Sequence, residues 1–148
     1  MGLFGGTKPA KPLRLMAQEA ADVPAIAALV QDAALRIGDM VYDATGRHFT
    51  LRINRFCHEA PGPVPLRAPC VVRISCVTGI RSRGLDMARK DQVLSLLDIA
   101  VEAGEAPACT LVLRFAAEGD LRIAAECVDV LMMDLAAPRR AKTAPNHS

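Results

Sequence analysis

The chain has no tryptophan, one tyrosine and four phenylalanines, so only 3% of its 148 residues are aromatic. Readers of single-stranded nucleic acid stack bases on aromatic platforms, and Tyr42, Phe49, Phe56 and Phe115 are a thin supply. Lysine is scarce as well. Between residues 13 and 137 the cations are twelve Arg and one Lys, Lys90. That bias favours fixed, directional contacts over diffuse charge. No apolar run approaches the ~20 residues needed to cross a bilayer. No basic segment leads into a long apolar stretch at the N-terminus, so no secretory signal is read. "MGLFGGTK" misses the myristoylation pattern, because Gly6 stands where Ser or Thr is required and Thr7 follows one place late.

The motifs of common chemistry are missing too. There is no GxSxG, no GxxxxGK[ST] and no fixed-period repeat. Five cysteines, at 57, 70, 76, 109 and 127, form no CxxC. An odd count without a signal predicts reduced thiols and a cytoplasmic location, with most of them packed as small hydrophobes. Cys57-His58 is an adjacent thiol and imidazole, but neighbours on a strand point to opposite faces. Zinc needs three or four ligands, and no second Cys/His pair stands at finger spacing. Nor does adjacency make a catalytic dyad, since the base must reach the sulfur in space. Asp39 with Asp43, and Asp86 with Asp91, lie at turns, where carboxylates cap and face water. No catalytic, metal or cofactor-binding residue is therefore assigned.

What is present is enough apolar material for one domain. Residues are 51% hydrophobic, which at this length fills a core without staples. Lys8 and Lys11 in a leader (1–12) and Arg139, Arg140 and Lys142 in a tail (138–148) lie outside the expected globular body, 13–137. Of the 18 Lys and Arg those five are set aside, and the remaining 13 face 16 acids, a net of −3 in the body. Both ends are read as disordered. A mildly acidic body with short basic ends suits weak, salt-sensitive nucleic-acid attraction at most.

Periodicity then gives the elements. "LRLMAQE" (13–19) alternates as a first strand. Asp22 and Pro24 open a helix carrying Ile26, Leu29, Val30 and Ala33 on one face. In "LRIGDMVYD" a bulge at Gly38 resets the register. "DATGR" is a hairpin turn with Gly46 at positive φ. "HFTLRINRF" alternates Phe49, Leu51 and Ile53 with polar neighbours and ends at Cys57-His58. "EAPGPVPLRAP" (59–69) is a proline-rich loop. "VVRISCVTGIRSR" (71–83) reads as one long strand with Val72, Ile74, Cys76 and Ile80 inward. Val93, Leu97, Ile99 and Val101 mark a further strand. "CTLVLRF" and "LRIAAEC" flank the turn "AAEGD" as a last hairpin. In "CVDVLMMDL", Val128, Leu131, Met132 and Leu135 fall at helical spacing, with Pro138 as the stop.

The expected fold class is α+β: a mostly antiparallel sheet or partly closed roll of about seven strands. One helix follows the first strand, and a C-terminal helix covers the open side. That count matches a pleckstrin-homology-like roll, although the early helix departs from it.

"GDMVYDATGRHFTLRINRFCHE", "VTGIRSRGLD", "DQVLSLLDI" and "ECVDVLMMDL" resemble a small bacterial family known only as a domain of unknown function. The likeness spans roughly residues 13 to 137 and consists of strand and turn patterns. It implies an intact bacterial domain and brings no activity, ligand or catalytic residue.

The feature that stands out is an arginine row, Arg73, Arg81 and Arg83, continued by Arg89 and Lys90. On one strand face it would meet an anion or an acidic partner. The plainer reading is a solvated face whose cations pair with Asp86, Asp91 and Asp98. A non-catalytic binding or adaptor domain, acting on a partner protein, is the leading functional expectation. A small-molecule pocket or an enzyme without a known motif comes second, and nucleic-acid association through the tails third. A flat apolar patch ringed by arginines would favour the first, and a large pocket with convergent polar groups the second.

Overall fold

The computed structural model describes residues 11–60 and 62–140. In chain order the elements are β1 (Arg14–Ala17), α1 (Val23–Val30), β2 (Ala33–Arg36), β3 (Met40–Asp43) and β4 (His48–Phe56). They continue with β5 (Leu66–Ile74), β6 (Val77–Arg83), β7 (Val93–Ala103) and β8 (Cys109–Phe115). β9 (Asp120–Ala125), β10 (Val130–Asp134) and β11 (Arg139–Arg140) complete the set. Every strand pair is antiparallel, in the order β1-β10-β5-β4-β2-β7-β8-β9-β6, with β3 also on β4 and β11 also on β5.

β6 continues β5 after Ser75 and Cys76, and β10 continues β9 after residues 126–129. β5 pairs with β10 just as β6 pairs with β9, so the four form one bent two-stranded ribbon. At the bend the Ser75 N–H donates to the Asp129 carbonyl, and the Glu126 N–H to the Cys76 carbonyl, both at 2.9 Å. Apart from β1 at one edge, the pairing path therefore begins and ends on the same ribbon, and the sheet curls round one core. Leu51, Val72, Ile74, Leu111, Leu113, Leu121, Ile123 and Met132 are fully buried there. Burying each such side chain contributes roughly 1.5–3 kcal/mol. α1 adds Val23, Ile26 and Val30 to the same cluster.

The expected C-terminal helix is not present, and its place is taken by β10. Val128, Val130, Met132 and Asp134 point inward with a period of two, while Leu135 is 45% exposed. The apolar residues of 128–135 satisfy both periods. Pairing decides, because the segment finds ladder partners in β1 on one side and β5 on the other. A helix there would leave a β5 edge unpaired. The α+β class with about seven strands and two helices, and the pleckstrin-homology-like roll with it, give way to eleven strands and one short α-helix among the described residues.

Smaller differences have local causes. The strand read over 71–83 breaks at Cys76, whose φ of 60° turns the chain. The proline-rich segment is already β5 from Leu66, with Pro69 inside it. Pro69's carbonyl accepts from the Leu135 N–H at 2.7 Å, so its nitrogen faces the gap between β10 and β11 and only one ladder bond is lost. Gly38 lies in a 3-10 turn, Ile37–Asp39. In the β3–β4 turn the positive φ falls on Arg47, not on Gly46. A Cβ at Gly46 would lie 2.7 Å from Asp43 Oδ2 and 2.8 Å from His48 Nε2, the outer ends of side chains that would have to swing aside. Pro24 opens α1, Asp22 makes no side-chain cap bond, and Ala33 belongs to β2. Arg139 and Arg140, assigned to the tail on composition, pair with Arg67 and Leu66. Of the leader and tail, residues 1–10 and 141–148 lie outside the described residues.

Candidate functional site

Antiparallel register fixes which side chains share a face, because paired residues point the same way. On the outer side of β1, β10, β5 and β4, one row reads Arg14, Met133, Val71, Arg52. The next reads Met16, Leu131, Arg73, Thr50, ending on Val41 of β3. Beyond Arg52 and Val71 come Asn54 and Pro69, with Leu135 opposite, then Phe56, Arg67 and Arg139. None of these positions carries an acid. Arg14, Arg52 and Arg73 are exposed, and so are Met16 (49%), Val41 (60%) and Leu135. Leu131, Met133 and Val71 are half-buried between them. Arg67 is engaged locally, donating to the Asn54 carbonyl at 2.8 Å and lying over the Phe56 ring. The result is an apolar stripe flanked by guanidinium groups, covered by no element among the described residues. Asp39 borders this face in a groove shared with Arg52, Asn54, Pro69 and Leu135, and further carboxylates stand at the far end, Asp129 beside Ser75 and Asp43 opposite His48.

The other half of the sheet is charge-balanced. Its outer rows read Arg83, Asp120, Arg114, Asp98 and Arg81, Arg122, Val112. Arg83 pairs with Asp120 at 3.0 Å, Arg114 with Asp98 at 3.8 Å and Arg122 with Glu102 at 2.8 Å. The candidate row from the sequence is thus divided by the bend. Arg73 belongs to the uncompensated face, and Arg81 and Arg83 to the balanced one. Arg89 and Lys90 lie in the loop before β7. The acids suggested as neutralising partners have other duties: Asp98 serves Arg114, and Asp86 Oδ1 accepts from the Ala88 N–H.

A buried charge cluster on the inner side escaped sequence reading. Arg55 is fully buried at the end of β4 and donates two bonds to Asp134, from Nε and Nη2, each at 2.8 Å. It donates two more to Glu59 at 2.7 Å, and the Leu13 N–H donates to Asp134 Oδ2 at 2.9 Å. Burial alone would raise the Asp134 carboxyl, but the guanidinium and the Leu13 amide hold it below the ordinary range. Glu59 is held low by its bonds from Arg55. Burial works against the Arg55 charge, and the two carboxylates outweigh it and raise its pKa. Beside this cluster burial pushes the Cys57 thiol up to about 11 and the Cys70 thiol up to about 12. Such thiols are poor nucleophiles. Cys57 and His58 part company: the thiol is buried, and the ring turns to the Gln31 carbonyl at 2.7 Å. The strand ends at Phe56, and the cluster is a structural clasp tying β1, β4 and β10 together.

A groove of about 670 Å³ lies between α1 and β7 and is lined mainly by apolar residues, with Gln31 and Asp98 also in the lining. It lacks the convergent polar groups of a reaction centre. Among the described residues no cluster of three or more His, Cys, Asp or Glu is placed to hold a metal ion, and no helix is long and apolar enough to cross a membrane.

A family model described as a protein of unknown function, DUF2948, matches residues 13–147 and so runs past the body end expected at 137. No curated protein and no solved structure matches the chain.

Proposed function

We propose that this chain, which belongs to the DUF2948 family of unknown function, is a binding module that grips an acidic protein partner. The contact is the outer face of β1, β10, β5, β4 and β3. The observation that carries this reading is the asymmetry between the two halves of the sheet. One outer face pairs Arg83, Arg114 and Arg122 with carboxylates, and the other sets Arg14, Arg52 and Arg73 around Met16, Leu131, Met133 and Val71 with no acid in those rows. Arginine ringing an apolar centre is the composition of a protein interface, where the apolar part is desolvated and the guanidiniums choose the partner. The face holds few aromatics on which bases could stack, which favours protein over nucleic acid. A cytoplasmic setting suits the free thiols.

Charge reversal on each face tests this. Arg14→Glu/Arg52→Glu/Arg73→Glu should fold normally, since exposed charges contribute little to stability, and lose the acidic protein that the wild type retains after nuclease treatment. Arg81→Glu/Arg83→Glu should keep it. Retention by the first variant and loss by the second would place the contact on the other half of the sheet. Loss of the bound material on nuclease treatment alone would make the partner a nucleic acid.

A further inference from the structure

We propose that Cys76 and Cys127 form a reversible disulfide across the bend of the β5–β6/β9–β10 ribbon. The Glu126 N–H donates to the Cys76 carbonyl at 2.9 Å, which sets residues 76 and 126–127 opposite each other on antiparallel chains. The ladder resumes at Val77 opposite Ala125, so both cysteines stand at the end of a paired antiparallel stretch. Cys127 is the neighbour that does most to raise the Cys76 thiol. Both are free and only half-buried, whereas Cys57, Cys70 and Cys109 are buried. Cys76 also holds φ at 60°, a left-handed conformation that favours glycine. A cysteine kept in that strained place, facing a second cysteine, is what a cross-link at the bend requires.

The chemistry needs an oxidant, and a low-molecular-weight disulfide supplies it. One thiolate attacks a sulfur of that disulfide, forming a mixed disulfide and expelling one small thiolate. The second protein thiol, its proton lost to solvent, attacks the protein sulfur of the mixed disulfide and expels the other small thiolate. The protein gives up two electrons and two protons, and the oxidant becomes two thiols. The Cys127 contact, partial burial and the nearby Asp129 and Glu126 carboxylates all raise the Cys76 thiol. Exchange is therefore slow at neutral pH and quickens in mild alkali. The link would tie together the two arms of the ribbon on which the sheet closes.

The test treats full-length protein with glutathione disulfide in mildly alkaline buffer, blocks remaining thiols, and maps peptides without reduction. A 76–127 cross-linked peptide should dominate over glutathione adducts, revert with dithiothreitol, and raise the melting temperature of the oxidised protein. Cys76→Gly suits the left-handed backbone, so it should fold, lose the cross-link, and leave a lasting glutathione adduct on Cys127. The proposal fails if folded wild type keeps both thiols free, if it stops at separate glutathione adducts, or if the link forms only in urea.

Discussion

At the scale of single residues, Arg55 does more than any surface arginine. It is buried between two carboxylates, one of which, Asp134, is buried with it. Removing one member of such a pair leaves an uncompensated charge in the core, so Arg55→Ala should cost about 3–5 kcal/mol in urea unfolding. Arg55→Met combined with Asp134→Leu removes both charges and should be markedly milder than Arg55→Ala; an equal or larger loss would show that the charges themselves hold β4 to β10. The same cluster sets a pH dependence. Asp134 and Glu59 have folded pKa values below their unfolded ones, so their stabilisation is full above the unfolded values and is lost as pH falls through the folded ones. Wild type should therefore weaken steeply below about pH 4, and the Arg55→Ala variant, which lacks the interaction, should show a flatter profile. Parallel profiles would remove the cluster from the account. Arg55 was hidden in the sequence because it occupies an inward position of "HFTLRINRF" while looking like one more polar residue. Its partner Asp134 stands 79 residues away.

At the scale of elements, β10 separates local pattern from tertiary demand. Met132 is fully buried and Leu131 lies half-exposed on the outer face. Met132→Ala should then cost about 2–5 kcal/mol through the cavity it leaves, and Leu131→Ala roughly 1 kcal/mol or less. Calorimetry or urea titration of the pair decides, and the reverse order would restore a helix. β4 was legible because Phe49, Leu51 and Ile53 alternate without competition. β10 was not, because its run of apolar residues fits two periods and a buried aspartate breaks the parity that would have chosen between them. β5 was read too short because Pro69 ordinarily ends a strand, and only the gap beside β10 makes it harmless. The break at Cys76 has no local signal, since nothing in "RISCVTG" but the late Gly79 suggests a turn. The exposure of Arg73, Arg81 and Arg83 was visible in the alternation, but their separation onto two faces depends on that break.

At the scale of the whole molecule, the sheet curls on a bent ribbon and so presents two outer faces with different electrostatic characters. The balanced face holds its own ion pairs, each weak and screened. The other offers guanidiniums with no acid in its central rows, over an apolar stripe. Only the pairing order reveals this, since Arg14, Arg52 and Arg73 lie on strands far apart in sequence and their neutral neighbours come from β10. The central claim is that this face is the contact surface, and site-specific photo-crosslinking tests it most directly. A photoreactive residue is placed at Val71, in the middle of the cationic face, and in a second protein at Thr110, on the balanced face. The account predicts a discrete protein adduct from position 71 that disappears when Arg14, Arg52 and Arg73 are reversed to Glu, and no such adduct from position 110. An adduct from position 110 with none from 71 would contradict it.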